Sequence, residues 1–174
     1  MTGRLHFALN GHKIPVIVTV SFLVLNYKYH KPIQHVLVKC MAALNAEMRE
    51  TFSKVKVFPV ATASKSGSPN VSLIAFVILE SDDTIWLGDN FMKKTLSNVK
   101  ENPHAAISVW DPETKKCFQI KGTMNVKTGG PDYEKMKKII HDKKPGLPAK
   151  SLLIMKITEV YDCAPGPAAG NKIL

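Results

Sequence analysis

The sequence predicts a mainly β protein, a six-stranded antiparallel barrel with Greek-key connections and a few short α-helices. Three observations point there. Six short apolar segments recur between residues 57 and 161 with turn residues between them, as strands closing on one core do. The helical patterns are few, one before those segments and the others between them. The chain has 174 residues, 45% apolar and 22% charged, which suits one soluble domain rather than a disordered or rod-like chain.

Leu44, Met48, Phe52 and Val55 recur at helical spacing, with Glu47 and Glu50 early and Lys54 late, so an amphipathic helix matched to its dipole opens the domain. VFPVATAS at 57–64 reads as a buried strand, SKSGSPN at 64–70 as a turn cluster, and VSLIAFVILE at 71–80 as one second strand. Ser81-Asp82-Asp83 turns the chain into a third strand, TIWLG at 84–88. Residues 91–101 read as a helix with Phe91, Leu96 and Val99 on one face, ended by Pro103. Strands at 104–110 and 116–126 flank an Asp-Pro-Glu-Thr turn. Gly130-Pro131 opens another helix, with Asp132 and Glu134 in its first turn and Tyr133, Met136, Ile139 and Ile140 along its face. LLIMKITEVY at 152–161 is the sixth strand, and the Pro/Gly-rich tail 164–170 is irregular.

The net charge is +10, and half of it comes from residues 1–40, which hold Arg4, Lys13, Lys28, Lys31 and Lys39 and no acid. Arginine is limited to Arg4 and Arg49. Nucleic-acid sites favour arginine and interleaved aromatics, so a nucleic-acid-binding small barrel is disfavoured. Cys40, Cys117 and Cys163 are far apart in sequence, and no C-x-x-C or H-E-x-x-H occurs. No metal site is therefore expected, and the cysteines read as small core or surface residues in a reducing, cytoplasmic setting. The apolar run IPVIVTVSFLVL at 14–25 is shorter than the roughly 20 residues of a membrane-spanning helix. It fits a native buried or interfacial segment, a signal or anchor, or an extension upstream of the true start. The extension is favoured, because Met41 begins a well-formed domain. The expected division is an extension at 1–40 and one domain at 41–174, with no membrane partner.

The chemistry concentrates after the third strand. That strand ends in Gly88-Asp89-Asn90, with Asn90 as the expected N-cap of the helix that follows. Lys93 and Lys94 then fall in the first turn, where each cation opposes the macrodipole by about a few tenths of a kcal/mol. A phosphate at the helix start would explain them, since backbone N–H groups, lysine charge and the Thr95 hydroxyl can converge on it. Two solvated surface lysines explain them as well. His104 and His141 have no paired nucleophile, so hydrolysis has no support.

FPVATASKSGSPNVSLI, DDTIWLGDNFMKKTLSNVKENPHAAISVW and FQIKGT, as an ordered set, resemble the flavin-mononucleotide-binding split barrels related to pyridoxamine 5′-phosphate oxidase. The resemblance covers about residues 41–174, and the tail YDCAPGPAAGNK is similar to a subgroup of anaerobes and methanogenic archaea. It implies a homodimeric split β-barrel with FMN in a groove at the subunit interface. It carries Lys94 and Thr95 onto the phosphate positions, and Gly88 and Asp89 onto the strand end beside the ribityl chain. Val60, Ala61, Thr62 and Ala63 match the strand whose backbone lines the isoalloxazine, with Ser72 as a further candidate. Gln119 and Lys121 match the strand that reaches the flavin from the other subunit. Small side chains at Ala61 and Ala63 let a flat ring approach, and ordinary tight packing explains them equally. Alternation about Ile120 explains Gln119 and Lys121 equally.

The implied function is a small FMN-dependent oxidoreductase with a small-molecule electron donor or acceptor. The alternatives are a flavin-binding electron carrier without a specific organic substrate, or the same fold binding a deazaflavin or haem. Pyridoxamine-phosphate oxidation itself is not expected, because the family's oxidases use a C-terminal arginine segment and this chain has no arginine after Arg49. The apolar run 152–157 and the tail from Ala164 are expected to help form the dimer interface.

Overall fold

A computed structural model describes residues 8–9, 12–13 and 42–174. The expectations for the 14–25 run and for Cys40 lie outside the described residues. The chain divides into two units, Met1–Leu37 and Val38–Leu174. In the first, β1 (Ala8–Leu9) and β2 (His12–Lys13) pair antiparallel.

The second unit holds one seven-stranded antiparallel sheet and three helices, α1 (Ala46–Lys54), α2 (Lys94–Glu101) and α3 (Pro131–Lys143). Its strands are β3 (Phe58–Ala63), β4 (Pro69–Ile74), β5 (Val77–Ser81), β6 (Thr84–Asp89), β7 (His104–Trp110), β8 (Cys117–Lys127) and β9 (Ser151–Asp162). They lie in the order β4-β3-β7-β8-β9-β6-β5. β7, β8 and β9 form a meander, and β6 lies beside β9 although its chain continues into β7. That is the Greek-key arrangement.

The expected six strands become seven because the segment 71–80 is not one strand. It breaks at Ala75 and Phe76, leaving β4 at one edge of the sheet and β5 at the other. A flat sheet of seven strands would hold its edges about 29 Å apart at the usual spacing of about 4.8 Å. The step from Ile74 to Val77 spans at most about 11 Å. The sheet must curl until its edges meet at this corner, and the result is a half-barrel.

The concave face carries the main core, with Phe58, Val60, Ile107, Ile120, Leu153 and Met155 from the strands and Met48 and Phe52 from α1. Asn45 caps α1 by accepting the Met48 N–H at 2.9 Å. A smaller core of Trp86, Met136, Ile140, Ala149 and Leu152 lies under α3. β6 is thus buried on both faces. The run 152–157, expected at a dimer interface, instead has Leu152, Leu153, Met155 and Ile157 fully inside these two cores.

Two glycines sit where a Cβ would meet close neighbours. A Cβ on Gly88 would lie 2.6 Å from Ile140 Cδ1 and 3.2 Å from Phe76 Cβ. A Cβ on Gly122, at the β8–β9 register shift, would run into the Lys156 carbonyl oxygen. That oxygen belongs to a paired strand and cannot yield as a side chain can. Gly122→Ala is therefore expected to lower unfolding free energy by about 1–3 kcal/mol, the scale of overpacking. Gly129→Ala meets open space and should stay within about 0.5 kcal/mol of the parent. Urea unfolding of the two variants checks this pair.

Candidate functional site

The start of α2 is built differently from the expected one. Asn90 is not the cap: its Oδ1 accepts the Ala149 N–H at 3.0 Å. The buried Asp89 holds the turn, its Oδ1 accepting the Met92 N–H at 2.8 Å and its Oδ2 the Ser151 hydroxyl at 2.9 Å. Both side chains are engaged in the turn, and the helix begins later, at Lys94, with Lys93 in the cap position and no side chain capping it. Phe91, expected on the helix's apolar face, precedes the helix and is exposed. The first bond of the helix runs from Ser97 N–H to the Lys93 carbonyl at 3.0 Å, so the N–H groups of Lys94, Thr95 and Leu96 precede its ladder. The first turn has no acid, while Lys93 and Lys94 are exposed there. The helix dipole and two ammonium groups both add positive potential here, with the Asp89 carboxyl buried in the turn that precedes the helix.

Behind this start lies a polar cluster. Thr95 Oγ1 is 2.9 Å from Ser72 Oγ and accepts from Asn70 Nδ2 at 3.2 Å. Thr62 Oγ1 accepts from Asn70 Nδ2 at 3.3 Å and from Asn98 Nδ2 at 3.1 Å. The cluster docks α2 onto β3 and β4, and the Thr95 hydroxyl is engaged in that docking.

A groove of about 650 Å³ opens from the Thr62 end of β3 across the outer face of β3, β7, β8 and β9. Its floor is made of small residues, with Ala61 directly opposite Ala106 in the register, and Ala63 further along β3. Lys121 and Glu159, opposite each other on β8 and β9, line the groove, and His104 and Thr123 line it as well. The Lys121 ammonium lies 4.4 Å from the centre of the Tyr161 ring. Tyr161 donates its hydroxyl to Glu159 Oε2 at 2.8 Å, and Lys172 pairs with Glu159 Oε1 at 3.1 Å.

The structure brings Thr62, Ser72 and Thr95 into the polar cluster, with Lys94 beside it at the helix start. It brings Ala61, Ala63 and Lys121 into the groove, which Thr62 also lines. Gln119 lies on the same outer face, between Ser108 and Tyr161 in the register. The Val60 side chain points into the core, so only its backbone faces outward. Gly88 packs against α3 and Asp89 ties β6 to β9. Sequence reasoning passed over Asn70, Asn98 and Ala106. Asn70 stands in the Ser-Pro-Asn end of the turn cluster, and Asn98 is spaced from Thr95 by one helical turn, which were the available signals. Among the described residues no group of His, Cys, Asp and Glu is arranged to hold a metal, and no helix is long and apolar enough to cross a membrane.

Residues 44–164 match the model of the pyridoxamine 5′-phosphate oxidase family. The chain is 38% identical over 136 residues to an uncharacterised protein of Methanocaldococcus jannaschii, covering 75% of this chain and 87% of that one. It is similar in structure to HupZ of Group A Streptococcus, with TM-score 0.64, 25% identity, and coverage of 73% of this chain and 99% of that one. The fold is shared with an FMN-binding protein of Syntrophomonas wolfei subsp. wolfei, with TM-score 0.52, 21% identity, and coverage of 64% and 85%. It is shared too with an F420 reductase at TM-score 0.52, 16% identity and coverage of 64% and 94%. HutZ, the haem storage protein of Vibrio cholerae, has it at TM-score 0.54, 17% identity and coverage of 69% and 94%.

The Tyr161–Glu159–Lys172 chain beside the groove has a pH signature. The Tyr161 hydroxyl and then Lys172 hold the Glu159 carboxyl below the usual range, and Glu159 holds the Tyr161 hydroxyl above its own. A lowered carboxyl contributes stability above its unfolded pKa and loses it as pH falls through the folded value. A raised phenol contributes below its unfolded pKa and loses it as pH rises through the folded value. Glu159→Gln should therefore return the Tyr161 titration toward about 10. Ultraviolet titration of phenolate in the parent, Glu159→Gln and Tyr161→Phe proteins reads this directly.

Proposed function

The chain belongs to the pyridoxamine 5′-phosphate oxidase family, and from that premise we propose that it is an FMN-binding flavoprotein acting as a small oxidoreductase. The observation that carries this reading is the start of α2. A helix N-terminus with N–H groups ahead of its ladder, no acid in the first turn and two lysines there supports a phosphate at this end. FMN joins a flat ring to one phosphate, and the small-residue groove beyond Thr62 suits the ring.

In this reading Lys94 and the first-turn N–H groups of α2 hold the phosphate. Thr95, which the resemblance carries onto the phosphate position, instead joins Ser72 in fixing the helix start on β4. The β3 backbone from Val60 to Ala63 lines the ring, and Lys121 and Gln119 of a second subunit reach it. Gly88 and Asp89 shape the turn that delivers α2. The bound flavin would supply hydride or electron transfer, and the chain would supply binding, orientation and electrostatics. Turnover with reduced pyridine nucleotide and a panel of small acceptors separates an enzyme from an electron carrier.

A second copy of the chain fits the outer face next to the groove. There Val71 and Leu73 of β4 are 65% and 73% exposed and Trp110 of β7 is 44% exposed. Light scattering should give a dimer, and a 19 kDa monomer with full flavin occupancy would exclude it. His104 on the groove favours a second cofactor reading, haem, because haem iron takes an axial histidine. A deazaflavin would use the same anion site. The absorption spectrum of the purified protein, before and after heat release of the cofactor, distinguishes the three.

Lys94→Ala should weaken FMN by about 1.5–3 kcal/mol, the scale of a hydrogen bond to a charged group. Riboflavin, which lacks the phosphate, should be almost indifferent. Lys93→Ala should cost less, because Lys93 is the cap residue, outside the first turn that carries Lys94. Equilibrium titration of both flavins against both variants is the test. Equal losses for the two flavins would remove the phosphate assignment.

A further inference from the structure

Cys117 opens β8 and Cys163 follows the last residue of β9. The ladder between these strands pairs Phe118 with Asp162 and runs one residue further, the Cys163 N–H donating to the Cys117 carbonyl at 3.0 Å. The two cysteines thus stand opposite each other, with side chains on the same face of the sheet. Such a pair has its Cα atoms about 5.5 Å apart, within the roughly 4.4–6.8 Å that a disulfide spans. Opposite Cβ atoms lie about 4.5–5.5 Å apart and must close by up to about 1 Å to form the bond. Both cysteines sit where the ladder ends. Ala-Pro-Gly-Pro follows Cys163, and Lys115, two residues before Cys117, has a φ of 58°. Movement at these ends costs less than it would in mid-sheet.

The two thiols differ in access. Cys163 is exposed, and its Sγ reaches the Tyr161 carbonyl at 3.9 Å. Cys117 is half-buried. Burial pushes its thiol above the usual range, and the nearby Cys163 and Asp162 push it further. An external reagent therefore meets Cys163 first, while Cys117 is shielded from solvent but adjacent to its neighbour.

We propose that Cys117 and Cys163 form a reversible dithiol–disulfide pair, with Cys163 as the attacking thiol and Cys117 as the resolving one. The oxidant is a low-molecular-weight disulfide. Cys163 loses its proton to solvent and its sulfur displaces one thiolate from the small disulfide, forming a mixed disulfide. Cys117 then loses its proton and attacks Cys163 Sγ, releasing the second thiolate. The two cysteines give up two electrons and two protons, and the small disulfide becomes two thiols. The bond fastens the start of β8 to the root of the C-terminal segment. That segment folds back on β9 through Asp162 N–H to the Asn171 carbonyl at 2.9 Å and Gly170 N–H to the Asp162 carbonyl at 2.7 Å. Its Lys172 pairs with Glu159 in the groove, so the bond anchors the chain segment that sets this carboxylate.

The test uses the full chain carrying Cys40→Ser, incubated with oxidised glutathione, alkylated and mapped by non-reducing peptide mass spectrometry. The expected product is a Cys117–Cys163 cross-linked peptide that dithiothreitol reverses, with slowed amide exchange at residues 160–163 and 170–174. Adding Cys117→Ser should trap a glutathione adduct on Cys163. Adding Cys163→Ser should slow adduct formation at Cys117 by about tenfold or more, following accessibility. A parent protein that stops at a stable mixed disulfide, or gives only intermolecular links, would overturn the proposal. So would adduct formation at Cys117 as fast as at Cys163.

Discussion

The joint between Ile74 and Val77 is the constraint on which the rest of this domain depends. Two residues carry the chain from one edge of a seven-stranded sheet to the other, and only a curled sheet allows it. The joint is locked from the far edge, where Gly88 N–H donates to the Phe76 carbonyl at 2.8 Å. Close approach of these two backbones, together with α3 on the outer side, would press a side chain on Gly88 against Ile140 and Phe76. The corner of the barrel, the end of β6 and the packing of α3 are thereby one arrangement. Moving any of them moves the residues that follow Gly88, and those lead directly into α2.

The next link is a buried carboxylate. Asp89 has no exposed surface, and a buried carboxyl is tolerated only with hydrogen-bond partners. Its two oxygens take Met92 N–H and the Ser151 hydroxyl, and its backbone carbonyl takes Lys150 N–H at 2.8 Å. Asn90 adds the Ala149 N–H. The turn is therefore cross-braced to the segment entering β9, and α2 starts from a fixed platform. The Asn70, Ser72, Thr62 and Asn98 contacts then hold the helix on the barrel mouth. Rigid support of this kind suits a site that must present backbone N–H groups in a set direction.

Most of the architecture was legible in the sequence because periodicity and turn residues agreed with the tertiary structure. Pro131 at the first turn of α3 and the alternation along 116–126 are such cases. The break at Ala75–Phe76 was not legible. VSLIAFVILE contains no glycine or proline, its one turn-prone residue, Ser72, lies within β4, and the break is imposed by the need to change sheet edges. Asn90 misled for a similar reason. Its type favours capping, but a partner 59 residues later claims its oxygen. Within the candidate site, the lysines, Thr95 and the small residues of β3 stood out by type or motif. Asn70 and Asn98 did not, because an amide in a turn or on a helix face has many ordinary uses. The opposition of Cys117 and Cys163 depends on strand register, which no local signal encodes.

The two positive regions of the site are not equivalent, and the difference orients any anionic ligand. Lys121 lies over the Tyr161 ring and opposite Glu159, whose oxygens take the Tyr161 hydroxyl and Lys172. Its charge is answered within the protein by a π-face and a neighbouring carboxylate, without a direct ion pair. Lys93 and Lys94 form no ion pair among the described residues, and they stand at the positive end of a helix whose first turn lacks an acid. An anion moving from Lys121 to the α2 start exchanges a balanced environment for an unbalanced one. Exposure weakens each interaction there through screening, but it does not change the order. In the proposed reading, a ligand with one charged end and one flat apolar end would therefore put its charge at α2 and its flat part along Ala61, Ala63 and Ala106.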